Sequence, residues 1–238
     1  MRPGDEVYGL IDFDRDGAAA DFVAVPAAGL ARKPSTVSHV AAAALPLAGL
    51  TALQALVDHA AVRPGEAVLV LGGAGGVGAL TVQLAATLGA DVTATVRSDT
   101  AGLVRDLGAR RVVDVRAEPF DDARAYNVVI DTVGGDTLLR SFGMLRRGGR
   151  LVTLSAPPPG GMAGEYGVSA MFFVVTPNRD QLAELATLVD SGRLRVPVAA
   201  TFAMAQGREA FESRGRPARG AGKTVIVVRA DGPPRLAD

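Results

Sequence analysis

Residues 68–85 read VLVLGGAGGVGALTVQLA, a run that combines a strand pattern, a group of glycines and a helix pattern. Four consecutive apolar residues indicate a buried strand, and apolar residues at helical spacing follow the glycines. Between them, Gly73, Gly75 and Gly78 match the pattern GxGxxG where a strand passes into a helix. Glycines there permit a tight turn, and the amides and positive dipole at a helix start attract a pyrophosphate. We therefore expect a dinucleotide-binding turn; the alternative is a glycine-rich turn that only packs.

Short β-rich runs alternate with helical stretches from Glu66 onward. The expected strands are 67–72, 91–97, 111–115, 127–133, 149–155 and 171–175. The expected helices are centred on 80–89, 103–109, 137–149 and 181–192. Because the strands are apolar on consecutive positions, they fit a sheet covered on both faces. The pattern predicts an α/β protein with a doubly wound parallel sheet of the Rossmann type.

The two ends of the chain differ from this centre. Strand-like runs occur at VYGLIDF (7–13), ADFVAVP (20–26), RVPVAATFAM (195–204) and KTVIVV (223–228). We expect residues 1–45 and 195–238 to form a β-rich flank outside the central sheet, where strands of the two ends pair with each other. Residues 46–194 would then form the dinucleotide-binding domain.

Composition narrows the ligand class. The chain has 238 residues, 48% of them hydrophobic, so a large core is expected. Its 25 basic residues equal its 25 acidic residues, which leaves no net field to attract nucleic acid or an anionic membrane. No run of about eighteen apolar residues is present, so we expect a cytoplasmic protein without a membrane span. A small-molecule substrate is the expected partner.

Metal and thiol chemistry find little support in the sequence. The chain has no cysteine, which excludes disulfides, thiolate zinc sites and cysteine nucleophiles. Its two histidines, His39 and His59, are too far apart for a two-histidine motif on one helix, so we expect structural or solvent-facing roles and no metal. Lysine occurs only at Lys33 and Lys223, an arginine bias typical of a GC-rich, bacterial coding sequence. Redox chemistry would need a bound cofactor.

The choice of cofactor depends on the end of the second strand. NAD-binding proteins usually place an acidic residue there to accept the ribose hydroxyls. Here the strand ends in Arg97 and Ser98, and a guanidinium and a hydroxyl fit a 2′-phosphate. Asp99 argues against this interpretation because a carboxylate repels phosphate. We expect NADPH in preference to NADH.

Six blocks in order carry a resemblance that covers almost the whole chain. They are LPLAGLTALQAL (45–56), RPGEAVLVLGGAGGVG (63–78), VVIDTVGGDTLLRSFGMLRRGGRLVTLS (128–155), FFVV (172–175), QLAELATLVDSGRL (181–194) and GKTVIVV (222–228). In order and spacing the chain resembles the zinc-independent quinone oxidoreductases and enoyl reductases of the medium-chain dehydrogenase/reductase superfamily. The resemblance implies that the front of the family's GroES-like domain is missing, because this chain starts near that domain's last third. Strand edges left unpaired there would favour a homodimer.

The resemblance also implies a cofactor-binding set. Thr51 would lie near the nicotinamide, the glycine turn on the pyrophosphate, Arg97 and Ser98 on the adenosine phosphate, and Lys223 would reach the cofactor. The full set is Thr51, Gly73, Gly75, Gly76, Val77, Gly78, Arg97, Ser98, Val133, Gly134, Ser155, Ala156, Phe172, Phe173, Val174 and Lys223. Val133 and Gly134 would pass the adenine or ribose, while Ser155, Ala156 and residues 172–174 would present main chain to the nicotinamide amide. For the residues of this set that follow the glycine turn, the alternative is a purely structural role, in the core or on the surface.

The resemblance implies a reductase that uses NADPH to reduce an enone, an enoyl thioester or a quinone. Tyr166, expected in a loop at 155–167, is the candidate general acid, and Ser155 is a candidate hydrogen-bond donor. Two alternatives stay open. One is a non-catalytic NADPH-binding module or partner subunit, and the other is a tailoring cyclase or isomerase on the same scaffold.

Overall fold

The computed structural model describes residues 1–14, 17–97, 100–117, 120, 122–213 and 221–229. The strands are β1 Val7–Gly9, β2 Leu30–Arg32, β3 Ala67–Leu71, β4 Asp91–Val96, β5 Arg111–Asp114, β6 Tyr126–Asp131, β7 Leu145–Thr153, β8 Ser169–Phe172, β9 Val198–Ala203 and β10 Lys223–Val227. The helices are α1 His39–Ala43, α2 Pro46–Leu53, α3 Gly78–Thr87, α4 Ala101–Asp106, α5 Asp136–Met144, α6 Met162–Tyr166, α7 Arg179–Asp190 and α8 Gly207–Glu212. A π-helical turn, Gln54–His59, continues α2. Within the described ranges, no helix is both long enough and apolar enough to cross a membrane.

The centre of the molecule is a six-stranded parallel sheet in the order β5-β4-β3-β6-β7-β8. The strand order reverses between β3 and β6, which is the topological switch point of a doubly wound sheet. Ligands of such sheets bind in the crevice outside the carboxyl ends of the strands at that point. The predicted Rossmann fold is therefore confirmed, and it locates the functional edge of the sheet.

Hydrophobic layers cover both faces of this sheet. Alternate residues of β3 point to opposite sides: Val68 and Val70 join the core cluster beneath α2, α3 and α7, while Leu69 and Leu71 join the one beneath α5. All four are at most 1% exposed. A strand buried on both faces cannot alternate apolar with polar residues, which explains the continuous apolar run in the sequence.

One predicted helix is too long. It was expected over 137–149, but α5 ends at Met144 and the residues LRRGG begin β7. Leu145 pairs with Tyr126 of β6 across a register shift and is 1% exposed, so the sheet captures it. Strand pairing thus outweighs the helical periodicity there.

The ends of the chain form two small sheets. β1 pairs with β2 antiparallel, and β9 pairs with β10 parallel. The expected pairing of strands between the two ends was therefore wrong, and the run 20–26 holds no strand. The ends still touch, because Arg229 pairs with Asp21 at 2.7 Å and lies 5.3 Å from the ring of Phe22. The division into two domains stays a prediction.

Candidate cofactor site

The glycine turn lies at the switch point, between the end of β3 and the start of α3. The main-chain N–H of Gly73 donates to Thr95 O at 2.8 Å, and that of Gly75 donates to Gly72 O at 2.9 Å. The N–H groups of Gly76 and Val77 have no acceptor among the described residues. Two unsatisfied donors therefore precede a ten-residue helix at its positive end, where an anion is favoured.

Gly78 shows why the turn needs glycine. An ideal Cβ at this position would lie 2.1 Å from Gly72 O, so a side chain there would break the turn. A Cβ at Gly75 would lie 3.2 Å from the same Gly72 O, and Gly75 lines the cleft next to the turn. At Gly75 the main chain of this turn is exposed and accessible to a phosphate.

The cleft has a volume of about 780 Å³, within the range of small-molecule sites. It extends from the glycine turn across the ends of β4 and β6 to α5. Its lining residues are Leu71, Gly72, Ala74, Gly75, Thr95, Val96, Arg97, Val115, Phe120, Thr132, Val133, Thr137, Arg140 and Met144. The lining brings two of the predicted cofactor residues outside the turn, Arg97 and Val133, to one cavity.

Arg97 follows β4 directly, is exposed and lies at the rim of the cleft. This is the position at which Rossmann proteins distinguish a free ribose from a phosphorylated one. Ser98, predicted to assist Arg97, and Asp99, which argues against a phosphate, both lie outside the described residues.

Asp131 lies beside the cleft and hydrogen-bonds the segments around it. This residue was not identified from the sequence. Its side chain is fully buried. Oδ1 accepts from the N–H groups of Val133 and Gly134, both at 3.0 Å, and Oδ2 accepts from the Thr153 hydroxyl at 3.0 Å. The carboxylate therefore fixes the turn after β6 relative to the end of β7. The available signal was an acidic residue ending a buried apolar strand, directly before the turn TVGG.

Ser155 is joined to the same carboxylate. Its hydroxyl lies 3.3 Å from Asp131 Oδ2 and 3.2 Å from Thr153 Oγ1. Because the Thr153 proton goes to Asp131, the Ser155 proton points inward with either partner. Ser155 and Ala156 are exposed beyond β7, as expected of residues facing a cofactor. The inward proton nevertheless argues against Ser155 as a hydrogen-bond donor to substrate.

The predicted nicotinamide residues come from α2 and from the segment after β8. Thr51 is 8% exposed, and its hydroxyl donates to Leu47 O at 2.6 Å. Phe172 ends β8, and the ring of Phe173 lies 4.2 Å from that of His59. Val174 is 58% exposed. The segment reaches the carboxyl edge of the sheet, where the cleft also opens.

Lys223 reaches the glycine turn from the first position of β10. An ideal Cβ on Gly76 would lie 2.3 Å from Lys223 Cδ. The preceding residue, Gly222, donates its N–H to Ala74 O at 3.1 Å, which docks the strand against the turn. The stem of Lys223 therefore lies against Gly76, next to the two unsatisfied amides.

Tyr166 does not reach the cleft. It lies on α6 rather than in a loop, and its ring is 5.9 Å from that of Phe142. The next residue, Gly167, accepts a hydrogen bond from the N–H of Gly148 near the start of β7, so Tyr166 lies towards the amino ends of the strands. Tyr166 is therefore not positioned to act as the general acid, and that prediction was wrong.

A metal site does not fit the residues present. His39 Nε2 lies 3.0 Å from Glu6 Oε1, and His59 packs against Phe173. In the described ranges there is no group of three or more histidine, aspartate or glutamate residues that could hold a metal ion, and the chain has no cysteine.

The fold and the glycine turn define a dinucleotide-binding protein, and comparisons with known proteins refine this class. Residues 107–226 match the zinc-binding dehydrogenase family model. The chain is 30% identical over 263 residues to the mitochondrial NAD(P)H oxidoreductase RTN4IP1 of Danio rerio, covering 97% of this chain and 68% of that protein. The chain therefore belongs to the zinc-binding dehydrogenase family, within the medium-chain dehydrogenase/reductase superfamily.

Two further proteins are similar. The 2-methylene-furan-3-one reductase of Solanum lycopersicum is 36% identical over 207 residues, which cover 82% of this chain and 50% of that one. The solved quinone oxidoreductase of Coxiella burnetii superposes with a TM-score of 0.83 at 31% identity, covering 96% of this chain and 74% of that one. The chain thus spans between half and about three quarters of the length of these relatives.

Proposed function

We propose that the protein is an NADPH-dependent oxidoreductase that reduces an activated C=C bond, in an enone or enoyl thioester, or a quinone. One observation carries the proposal: the unsatisfied amides of Gly76 and Val77 lie beside the stem of Lys223 and directly follow Gly75, which lines a cleft whose rim holds Arg97. This arrangement offers donors for a pyrophosphate and a guanidinium for a 2′-phosphate. Relatives named for quinone and enone reduction support the reaction class.

Each end of the cofactor has matching groups in this chain. The Gly76 and Val77 amides and the Lys223 ammonium would hold the pyrophosphate, and Arg97 the 2′-phosphate. Asp131 keeps the turn at Val133 and Gly134 rigid, so the adenosine side meets a fixed surface. Thr51 and residues 172–174 would orient the nicotinamide at the carboxyl edge of the sheet.

NADPH, when bound, supplies a hydride to the β-carbon of the acceptor. The protein contributes mainly orientation and exclusion of water. After an enone accepts the hydride, its α-carbon needs a proton, which we assign to water because Ser155 directs its proton to Thr153 or Asp131 and Tyr166 lies away from the cleft.

Binding of both reduced nucleotides tests the cofactor assignment. Titration followed by nicotinamide fluorescence should give a lower Kd for NADPH than for NADH, and Arg97→Ala should remove that preference. Arg110→Ala is the matched control, because Arg110 is an exposed arginine paired with Asp91 at the other end of β4. An unchanged preference in Arg97→Ala would refute the assignment of the 2′-phosphate.

Turnover tests the reaction class. NADPH consumption should occur with at least one member of a panel of enones, enoyl thioesters and quinones. Tight binding of NADPH without consumption would favour a non-catalytic binding module instead. Conversion of an acceptor without net NADPH oxidation would favour a cyclase or isomerase.

A further inference from the structure

The side chain of Gln54 holds the main chain of Thr176 with two hydrogen bonds. Nε2 donates to Thr176 O at 2.9 Å, and Oε1 accepts from Thr176 N–H at 3.1 Å. Gln54 is 4% exposed and occupies the first position of the π-helical turn that follows α2. The Gln54 amide thus bonds both main-chain groups of Thr176, as a neighbouring strand would do in a sheet.

A second, partly buried contact fixes the orientation of this amide. Nε2 of Gln54 also donates to Oε1 of Gln181 at 2.8 Å, and Nε2 of Gln181 donates to Asp58 Oδ2 at 2.8 Å. Both N–H groups and the carbonyl oxygen of Gln54 are therefore used. A flipped amide would face three mismatched partners, so the contact has one stable arrangement.

The segment held in this way has little other main-chain support. In residues 174–177 the two bonds to Gln54 are the only main-chain hydrogen bonds within the described part of the chain. Val175 adds an apolar anchor, since it is 6% exposed, whereas Val174 is 58% exposed. The segment directly follows β8 at the carboxyl edge of the sheet, where the ligand of such a fold binds.

We propose that Gln54 is a positioning residue that sets the nicotinamide end of the site. Thr51 lies three residues before Gln54 along the same continuous helical segment, so the bonds to Thr176 tie residues 172–174 to the helix that carries Thr51. Gln54, together with the packing of Phe173 on His59, then sets the spacing of the two walls between which the nicotinamide would lie. π-Helical turns recur at functional sites, which agrees with this role. The inference rests on the proposed binding of NADPH.

Two ligands separate this role from a general effect on folding. NADPH contacts both ends of the site, whereas 2′,5′-ADP lacks the nicotinamide and contacts the adenosine end alone. Gln54→Leu should raise the Kd for NADPH about tenfold, because a loosened wall no longer orders the nicotinamide, and should leave the Kd for 2′,5′-ADP unchanged. Isothermal titration calorimetry measures both constants without any need for turnover.

Gln54→Glu keeps the shape of the side chain if the leucine variant fails to fold. Its carboxylate still accepts from Thr176 N–H but faces the oxygens of Thr176 and Gln181, so the same selective loss is expected. In Gln54→Leu, which removes the acceptor of Thr176 N–H, hydrogen exchange at the Thr176 amide should become faster.

Gln83→Leu is the matched control. Gln83 is 5% exposed, and its amide holds the main chain of Arg195 in the same two-pronged way, at 3.0 and 2.8 Å. It should change neither Kd. Equal weakening of both ligands by Gln54→Leu, or no weakening of either, would overturn the positioning role. Absence of NADPH binding to the wild-type protein would instead overturn the proposed function, and this inference with it.

Discussion

The side chain of Lys223 crosses Gly76 so closely that a Cβ at position 76 would lie 2.3 Å from Lys223 Cδ and 3.0 Å from Cγ. The contact joins the last described strand to the glycine turn, although the two are far apart in the sequence. Glycine at position 76 therefore has a steric role beyond the turn itself: it leaves the space that the side chain of Lys223 occupies. The stem of Lys223 can lie against the turn only because residue 76 has no side chain.

Gly76→Ala should weaken NADPH binding about tenfold while the protein still folds, since the flexible lysine stem can move aside. Fluorescence titration of NADPH measures the loss, and thermal unfolding checks the fold. Gly160→Ala is the control, because a Cβ at 160 meets nothing within 4 Å. Undiminished affinity in Gly76→Ala would contradict the role assigned to Lys223.

Asp131→Asn should lower the free energy of unfolding by about 1–3 kcal/mol, because the new NH2 group faces donors that the carboxylate oxygens accept from. Urea denaturation at neutral pH measures this loss. Asp136→Asn is the control: Asp136 is an exposed carboxylate in the first turn of α5, and its loss should cost less than about 1 kcal/mol. Equal effects at both positions would show that the buried network contributes little.

Ser155→Ala should leave kcat within about threefold of the wild-type value. The serine proton is already directed to Thr153 or Asp131, so the substitution removes no donor from the cleft. Steady-state kinetics with whichever acceptor proves active provides the measurement. A fall of a hundredfold or more would restore Ser155 as a catalytic donor.

Local periodicity and glycine chemistry predicted the parallel sheet and the turn, because each depends on residues adjacent in sequence. The position of Arg97 directly after β4 followed from the same logic, since the neighbours of that strand are fixed by topology, whereas its role towards a 2′-phosphate stays a prediction. Lys223 at the glycine turn came from resemblance alone, and the structure explains it: Gly222 docks on Ala74 across a long sequence separation.

Contacts between distant side chains escaped prediction. Asp131 was not identified because its four partners come from two strand ends, and a lone acidic residue in an apolar run does not reveal them. Gln54 was not identified because its partners lie more than 120 residues away. Tyr166 was misplaced for the opposite reason: its position before β8 suggested the cleft, but parallel topology puts the start of β8 at the other edge of the sheet.

The pair formed by Glu66 and Arg150 makes stability depend on pH. Arg150 donates to both carboxylate oxygens, at 2.8 and 2.6 Å, and also binds Ala60 O at 2.9 Å. The hydrogen bonds from Arg150 are the main reason that the pKa of Glu66 lies below its ordinary value of 4.5. A depressed carboxyl pKa means that the native state favours the ionised form, so its stabilisation is present at neutral pH and is lost as the pH falls through the lowered pKa.

Glu66→Gln should therefore be less stable than the wild type by about 1.5–3 kcal/mol at pH 7. This difference in the free energy of unfolding should shrink as the pH falls below 4.5, because protonation then removes from the wild-type Glu66 the negative charge that the glutamine variant lacks. Urea denaturation at pH 7, 5 and 3.5 measures the gap, with Glu184→Gln, an exposed position on α7, as the variant expected to show none. If the difference in the free energy of unfolding stayed the same down to pH 3.5, the charge of Glu66 would not be its cause. Neutral glutamic acid would then stabilise the protein over glutamine as much as the carboxylate does, so Glu66 would act through its shape.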